Sequence, residues 1–467
     1  MDACCRRTTK SPLGGRTRSI AMLTGLAALL PGLARASDGV EHGALPPVWM
    51  TTFFVVMLLA IAVLPLTPLE HWWHENRNKL ILGLALAAYP LFWVVVLEPN
   101  LHALAETVEE YVSFIILLGT LFYVSGGILL TGDLRATPET NLKFLAFGTL
   151  IASFVGTTGA SMLLIRPVLR TNQQRRYKVH TVIFFIFLVS NIGGSLLPIG
   201  DPPLFLGYLQ GVPFLWTLGL WKHMLLVAVL LLGGYYLLDR HFYARESKAA
   251  LAADDAEVEP LRVHGKVNLI WLLGIVLCVA LILPEHGLFV REVAMIACAV
   301  ASRFTTPPST REKNEFSWFP ILEVAALFIG IFLTMIPALM LLKAQGGELG
   351  VNTPLRFFWV TGVLSSFLDN APTYLVFFNT AQGMVEQGML AGDMVDNVGI
   401  PVLVLEAISV GAVFMGANSY IGNAPNFMVR AIAEEQGVKM PSFLGYVGWA
   451  TVFLVPNFAL LTLIFYR

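Results

Sequence analysis

The chain has 467 residues, of which 56 % are hydrophobic and only 13 % charged, with a mean hydropathy of +0.71. That balance, against roughly a quarter charged in soluble domains, defines a polytopic membrane protein whose principal partner is the lipid bilayer. A net charge of −1 excludes nucleic acid as a partner by bulk electrostatics, so charge matters here through its placement between helices.

Residues 1–36 carry Arg6, Arg7, Lys10, Arg16 and Arg18 ahead of a short apolar run and Ala34-Arg35-Ala36. This reads as a signal peptide cleaved after Ala36, with an uncleaved first membrane helix as the alternative. Cys4 and Cys5 lie in that segment and Cys278 and Cys298 in two separate apolar segments, so no disulfide framework or metal spacing follows.

Apolar segments long enough to span follow near residues 47–66, 80–97, 111–131, 178–206, 214–238, 267–284, 288–303, 319–342, 400–430 and 442–466. Two further apolar stretches, 143–169 and 355–381, are interrupted midway by Gly-Thr-Thr-Gly-Ala-Ser (156–161) and Leu-Asp-Asn-Ala-Pro-Thr (368–373). Half-length helices meeting at a polar tip make a re-entrant hairpin. The expected fold is therefore all-α, with about 10–11 transmembrane helices, two re-entrant hairpins and two broken helices.

The broken helices are 178–206 and 400–430. The first contains Ser-Asn-Ile-Gly-Gly-Ser (190–195) and Ile-Gly-Asp-Pro-Pro (199–203), the second Gly-Ala-Asn-Ser (416–419) and Ile-Gly-Asn-Ala-Pro-Asn (421–426). Sliding by 222 positions lays Ile199-Gly200-Asp201 over Ile421-Gly422-Asn423 and Pro203 over Pro425. A shift of 213 lays Glu110 over Glu323 and Ser153-Phe154 over Ser366-Phe367. Proline removes a backbone donor and an aspartate in hydrocarbon is penalised by kilocalories, so matched breaks of this kind mark a cavity and a transporter's binding site.

Basic residues cluster in the loops 67–79, 132–142, 166–178, 239–266 and 304–318 and after Arg430, whereas 98–110 and 382–399 are acidic. By the positive-inside rule the first hairpin opens to the cytoplasm and the second to the outside, so the repeats are inverted. The organisation expected is N-terminal scaffold helices over 37–108, a first transport repeat over 109–240, a bridge over 241–318 with a loop at 249–260, and a second repeat over 319–467. The mature N-terminus and the C-terminus lie outside the cytoplasm of a bacterial inner membrane.

Inverted repeats bring the hairpin tips and breaks together near the midplane. The candidate ion or substrate residues are Thr157, Thr158 and Ser161 on the first tip and Asn191, Ser195 and Asp201 on the first break. Asp369, Asn370 and Thr373 come from the second tip, and Asn418, Ser419, Asn423 and Asn426 from the second break. Hydroxyl, amide and carboxylate oxygens suit a hard cation such as Na⁺, and a carboxylate there can hold either a cation or a proton. Asp201 and Asp369 are therefore the leading proton-coupling candidates, with Glu406 a third because an acid inside an apolar segment is a functional hypothesis by default. N-capping of the helix that follows is the alternative reading for both aspartates. Glu110 and Glu323 read as solvated or packed in the scaffold, Arg166 as part of the basic cluster, and His71 and His74 beside Trp72 and Trp73 as an interfacial belt.

The paired hairpins and the Pro-Ile-Gly-Asp-Pro-Pro-Leu-Phe, Leu-Asp-Asn-Ala-Pro-Thr and Gly-Asn-Ala-Pro-Asn stretches resemble the ion transporter superfamily of ArsB/NhaD type. Within it they are most similar to the NhaD-type sodium/proton antiporters and the related citrate transporters. The resemblance implies a secondary transporter working by alternating access, commonly a homodimer, with no cofactor and no metal beyond transported Na⁺. Dicarboxylate members carry Ser-Asn-Thr at both tips; this chain carries Thr-Thr-Gly-Ala-Ser and Asp-Asn-Ala-Pro-Thr, which favours cation/proton exchange over transport of citrate or another small organic anion. No enzyme is expected: neither Gly-x-Gly-Asp nor His-Glu-x-x-His occurs.

Overall fold

The computed structural model describes residues 45–283, 287 and 289–467; the signal-peptide reading of residues 1–36 lies outside them. Among the described residues five helices are long and apolar enough to cross a membrane: Asn76–Leu97, Leu101–Ser125, Trp216–Tyr243, Phe319–Leu349 and Phe443–Phe465. Shorter apolar helices surround them, and the whole is an all-α polytopic membrane protein.

In chain order the helices that position the site are α1 (Thr51–Val63), α2 (Asn76–Phe92) and α3 (Leu101–Ser125), then the first hairpin, α4 (Pro138–Val155) and α5 (Thr157–Thr171). The first broken helix is α6 (Val179–Leu188) and α7 (Pro202–Leu209), followed by α8 (Trp221–Tyr243). The bridge holds α9 (Lys248–Ala256), α10 (Asn268–Leu281) and α11 (Val290–Thr305). The second half repeats the order: α12 (Phe319–Gln345), the hairpin α13 (Pro354–Phe367) and α14 (Asn370–Glu386), the broken helix α15 (Val402–Met415) and α16 (Ala424–Glu435), and finally α17 (Phe443–Phe453) and α18 (Val455–Phe465).

The two hairpins start alike. Thr137 and Thr353 each accept a hydrogen bond from the backbone N–H three residues on, and Pro138 and Pro354 occupy the first helical position, where a missing N–H costs nothing. The first hairpin turns at Gly156, whose φ of +79° an L side chain rarely adopts. The first helices of both broken segments are mostly apolar, and in α6 each residue from His180 to Leu188 is buried, as expected of a helix at the centre of a bundle.

The bridge departs from expectation. Instead of a loop at 249–260 the chain forms α9, capped by Ser247, and a strand, β2 (Glu259–His264), antiparallel to β1 (Leu129–Asp133). Asp254 anchors α9 by accepting the Ala136 N–H at 2.9 Å. The closing span Phe443–Phe465 is interrupted once, at Leu454 ahead of Pro456, which has no N–H to continue the ladder.

In lipid, helices associate through close packing rather than through hydrophobic burial, and α2 meets α12 at such a contact. A Cβ built on Gly83 would stand 3.0 Å from the Gly330 Cα. Beside it the buried Lys79 of α2 pairs with Glu323 of α12, so Glu323 is engaged in helix packing, while Glu110 of α3 accepts from Gln210, just after α7, at 2.5 Å. Of the expected interfacial belt, Trp72 is exposed but Trp73 is buried, with the Lys79 ammonium 5.9 Å from its ring. Gly330→Leu is expected to destabilise the protein by about 1–3 kcal/mol through overpacking, read as a lower unfolding temperature in detergent.

Candidate functional site

Both helix breaks are built the same way. Gly200 lies against the Gly194 carbonyl, and Gly422, 222 positions on, lies against the Gly416 carbonyl, each so closely that a Cβ would meet the oxygen. These crossings fold the broken backbone tightly enough to present the next residue to the centre. That residue is Asp201 in one break and Asn423 in the other. Each is in extended conformation at the N-terminus of the resuming helix, and neither uses its side chain to cap it.

Freed from capping, the two side chains meet. Asn423 Nδ2 donates to Asp201 Oδ1 at 2.9 Å, and Thr157 Oγ1 donates to the same oxygen at 2.8 Å. Asn370 Nδ2 donates to Oδ2 at 2.6 Å. Thr157 and Asn370 are related by the 213-position shift and open α5 and α14, the second arms of the two hairpins. One carboxylate, only 1 % exposed, is thus held by a neutral donor from each hairpin tip and one from the opposite break.

A second layer of amides holds the first. Asn191 Nδ2 donates to the Ile186 carbonyl at 2.8 Å and to Asn426 Oδ1 at 2.7 Å, while Asn423 Nδ2 also reaches the Ser190 carbonyl at 3.1 Å and Asn191 Oδ1 at 3.2 Å. Asn426 Nδ2 ties back to the Gly416 and Ser419 carbonyls, both at 2.9 Å. Helix-breaking backbone at membrane depth survives where side chains satisfy the freed carbonyls, and these asparagines do so.

Among the described residues two acceptors in this region stand out, because the side-chain oxygens of Asn370 and Asn418 are buried with no hydrogen-bond donor. Buried polar atoms are almost always paired. An unpaired oxygen beside a carboxylate is a ligand suited to a hard cation.

The remaining expected residues fall around this centre. Asp369 is half-buried and caps α14, accepting the Ala371 N–H at 3.0 Å, whereas the Asp201 side chain makes no cap bond to α7. Thr373 Oγ1 donates to the Asp369 carbonyl and Ser195 Oγ to that of Ile192, each stiffening its own turn. Ser161 bonds Ser190 at 2.9 Å, and Thr158 is half-buried. Asn418 donates to Ser366 Oγ at 2.9 Å, and Ser419 donates to the Ser366 carbonyl. Glu406 stands apart: ten residues of α15, about 15 Å of helix, separate it from the break at Gly416. Arg166 pairs with Glu315 at 3.0 Å and is engaged there.

Ser153, Ser190 and Ser366 were not singled out as site residues. Ser153 Oγ donates to the Gly193 carbonyl at 2.5 Å and accepts the Leu196 N–H at 2.9 Å, which pins the first break to the first hairpin. Ser366 performs the matching task on the other side. The 213-position register that pairs these two serines was the available signal.

A helical membrane protein whose two hairpin tips and two helix breaks converge on one buried carboxylate has the architecture of a transporter. The chain matches the family described as "Putative citrate transport" over residues 43–466 and belongs to it. No curated protein matches the chain.

Proposed function

We propose that this protein is a secondary transporter that exchanges Na⁺ or Li⁺ for protons by alternating access, with Asp201 as the shared cation and proton site. The observation that carries this reading is the Asp201 carboxylate, enclosed by the neutral donors Thr157, Asn370 and Asn423, with the side-chain oxygen of Asn370 left without a donor. A buried carboxylate without a basic partner is stable only when something neutralises it. A proton does so in one half of the cycle and a cation in the other. Thr157, Asn370 and Asn423 hold the carboxylate in place in both, and Asp369 adds negative potential at the second tip.

In this reading the halves 109–240 and 319–467 are inverted repeats that move against the scaffold helices of a homodimer in the bacterial inner membrane. Both mature termini face outside, and nothing but the transported ions is bound.

The family description favours a second reading, the cation-coupled carriage of citrate. The donors that now hold Asp201 would then turn to the anion. Thermal unfolding of the purified protein separates the two. If Na⁺ binds here, replacing choline by Na⁺ at about 100 times its dissociation constant raises stability by about 2.7 kcal/mol, and citrate adds nothing. Stabilisation that requires citrate would select the second reading.

A further inference from the structure

His223 lies in the first turn of α8, only 2 % exposed, and neither of its ring nitrogens has a hydrogen-bond partner. A buried polar group left unpaired costs about 1–3 kcal/mol. Its ring is packed instead against two aromatic rings at the end of α18, Phe465 at 4.1 Å and Tyr466 at 5.7 Å between centroids. Among the described residues the acid paired with it is Glu406, in the second turn of α15, with Oε2 4.0 Å from His223 Nε2.

We infer that His223 and Glu406 form a one-proton site at the seam between the last helix of the first half and the broken helix of the second. The spacing is just beyond hydrogen-bond reach, so a small side-chain rotation closes it once a proton lies between nitrogen and oxygen. The Glu406 side chain keeps 18 % of its surface exposed, so the pair is not sealed off and a proton can reach it from outside the protein. A hydronium ion supplies the proton: its O–H bond breaks and leaves water, an N–H bond forms at Nε2, and that N–H is shared with Oε2.

The groups that act on the pair come from each element around it. Lys222 adjoins His223 on α8 and bears on both members, and Tyr466 follows α18 with a buried hydroxyl that has no partner. With the proton absent, an ionised Glu406 faces Lys222; with it present, an imidazolium and a carboxylate face each other across the seam. Protonation therefore draws α15 toward α8. Since α15 leads directly into the break that carries Asn423, the pair is placed to bias that break from a distance. This does not depend on which cargo Asp201 carries.

The test is acid-minus-alkaline infrared difference spectroscopy of the full-length protein in lipid, without Na⁺ or citrate. The expected result is a carboxylate band lost in Glu406→Gln and an imidazole band lost in His223→Gln, with the band of the remaining partner displaced in each variant. Both bands should persist in Asp201→Asn. A Glu406→Gln spectrum with every carboxyl band unchanged, or a His223→Gln spectrum with the Glu406 band unmoved, would overturn the inference. If His223→Gln fails to elute as a folded protein, Glu406→Gln decides alone: an imidazole band that stays where it is in the wild type overturns the pair.

Discussion

Asp201→Asn is expected to abolish cation-coupled proton movement while leaving the protein folded and inserted. The substitution conserves shape. The oxygen that accepts from Thr157 and Asn423 remains, and the new amide nitrogen would face Asn370, whose own side-chain oxygen has no donor. Turning the Asn370 amide over supplies the matching acceptor, so the network survives without a charge. What is lost is the carboxylate that both hairpin tips and the opposite break hold, and with it the group there that takes up a proton or neutralises a cation. A charged contact is worth about 1.5–3 kcal/mol, and 3 kcal/mol corresponds to more than about 100-fold in affinity. Ion flux in proteoliposomes should fall at least that far, with unfolding temperature little changed. Wild-type flux in this variant would remove Asp201 from the mechanism.

The second large effect is on stability. Asp239 of α8 is fully buried and collects five bonds. Arg175 donates to it twice, at 2.6 and 3.1 Å, and Asn141 donates at 3.2 Å, with His180 Nε2 at 2.8 Å and Tyr235 Oη at 3.1 Å. Asn141 and Asn172 exchange amide hydrogen bonds beside it at 2.8 and 2.9 Å. The network joins α4, the turn after α5, the start of α6 and α8, so the first hairpin and the first broken helix are held as one body.

Asp239→Leu leaves the Arg175 guanidinium, 1 % exposed, buried with Glu246 3.8 Å from its Nε as the remaining acid. Breaking one side of a buried pair costs about 3–5 kcal/mol, well above the 0.5–3 kcal/mol typical of single substitutions. A marked loss of folded yield and of unfolding temperature is expected, and Arg175→Met added to Asp239→Leu should recover part of it. A double variant no better than Asp239→Leu alone would show that the cost lies in packing rather than in the unpaired charge.

Much of the site was legible because its grammar is covalent. Gly200-Asp201-Pro202 and Gly422-Asn423 with Pro425 announce broken helices wherever they occur, and the 222-position register names the two residues that meet. The 213-position register pairs Thr157 with Asn370, though nothing in the chain says that both donate to Asp201. Which side chain caps and which binds was not legible, since Asp201 and Asp369 both precede a helix start. Only the tertiary approach of three donors draws Asp201 away from its own helix. The strand pair β1 and β2 escaped notice because Leu129–Asp133 and Glu259–His264 are far apart in the chain and carry no alternation. The aromatic shell that buries His223 is likewise assembled from the end of the chain, which no local pattern foretells.

The most direct test of the central claim is proton movement in everted vesicles from antiporter-deficient cells, with Na⁺, Li⁺ or K⁺ and then citrate added to a preformed pH gradient. Collapse of the gradient on Na⁺ or Li⁺ alone, absent in Asp201→Asn, is the predicted result. A gradient untouched by every cation, together with labelled citrate uptake in right-side-out vesicles, would contradict it and make the same four stretches a carboxylate site.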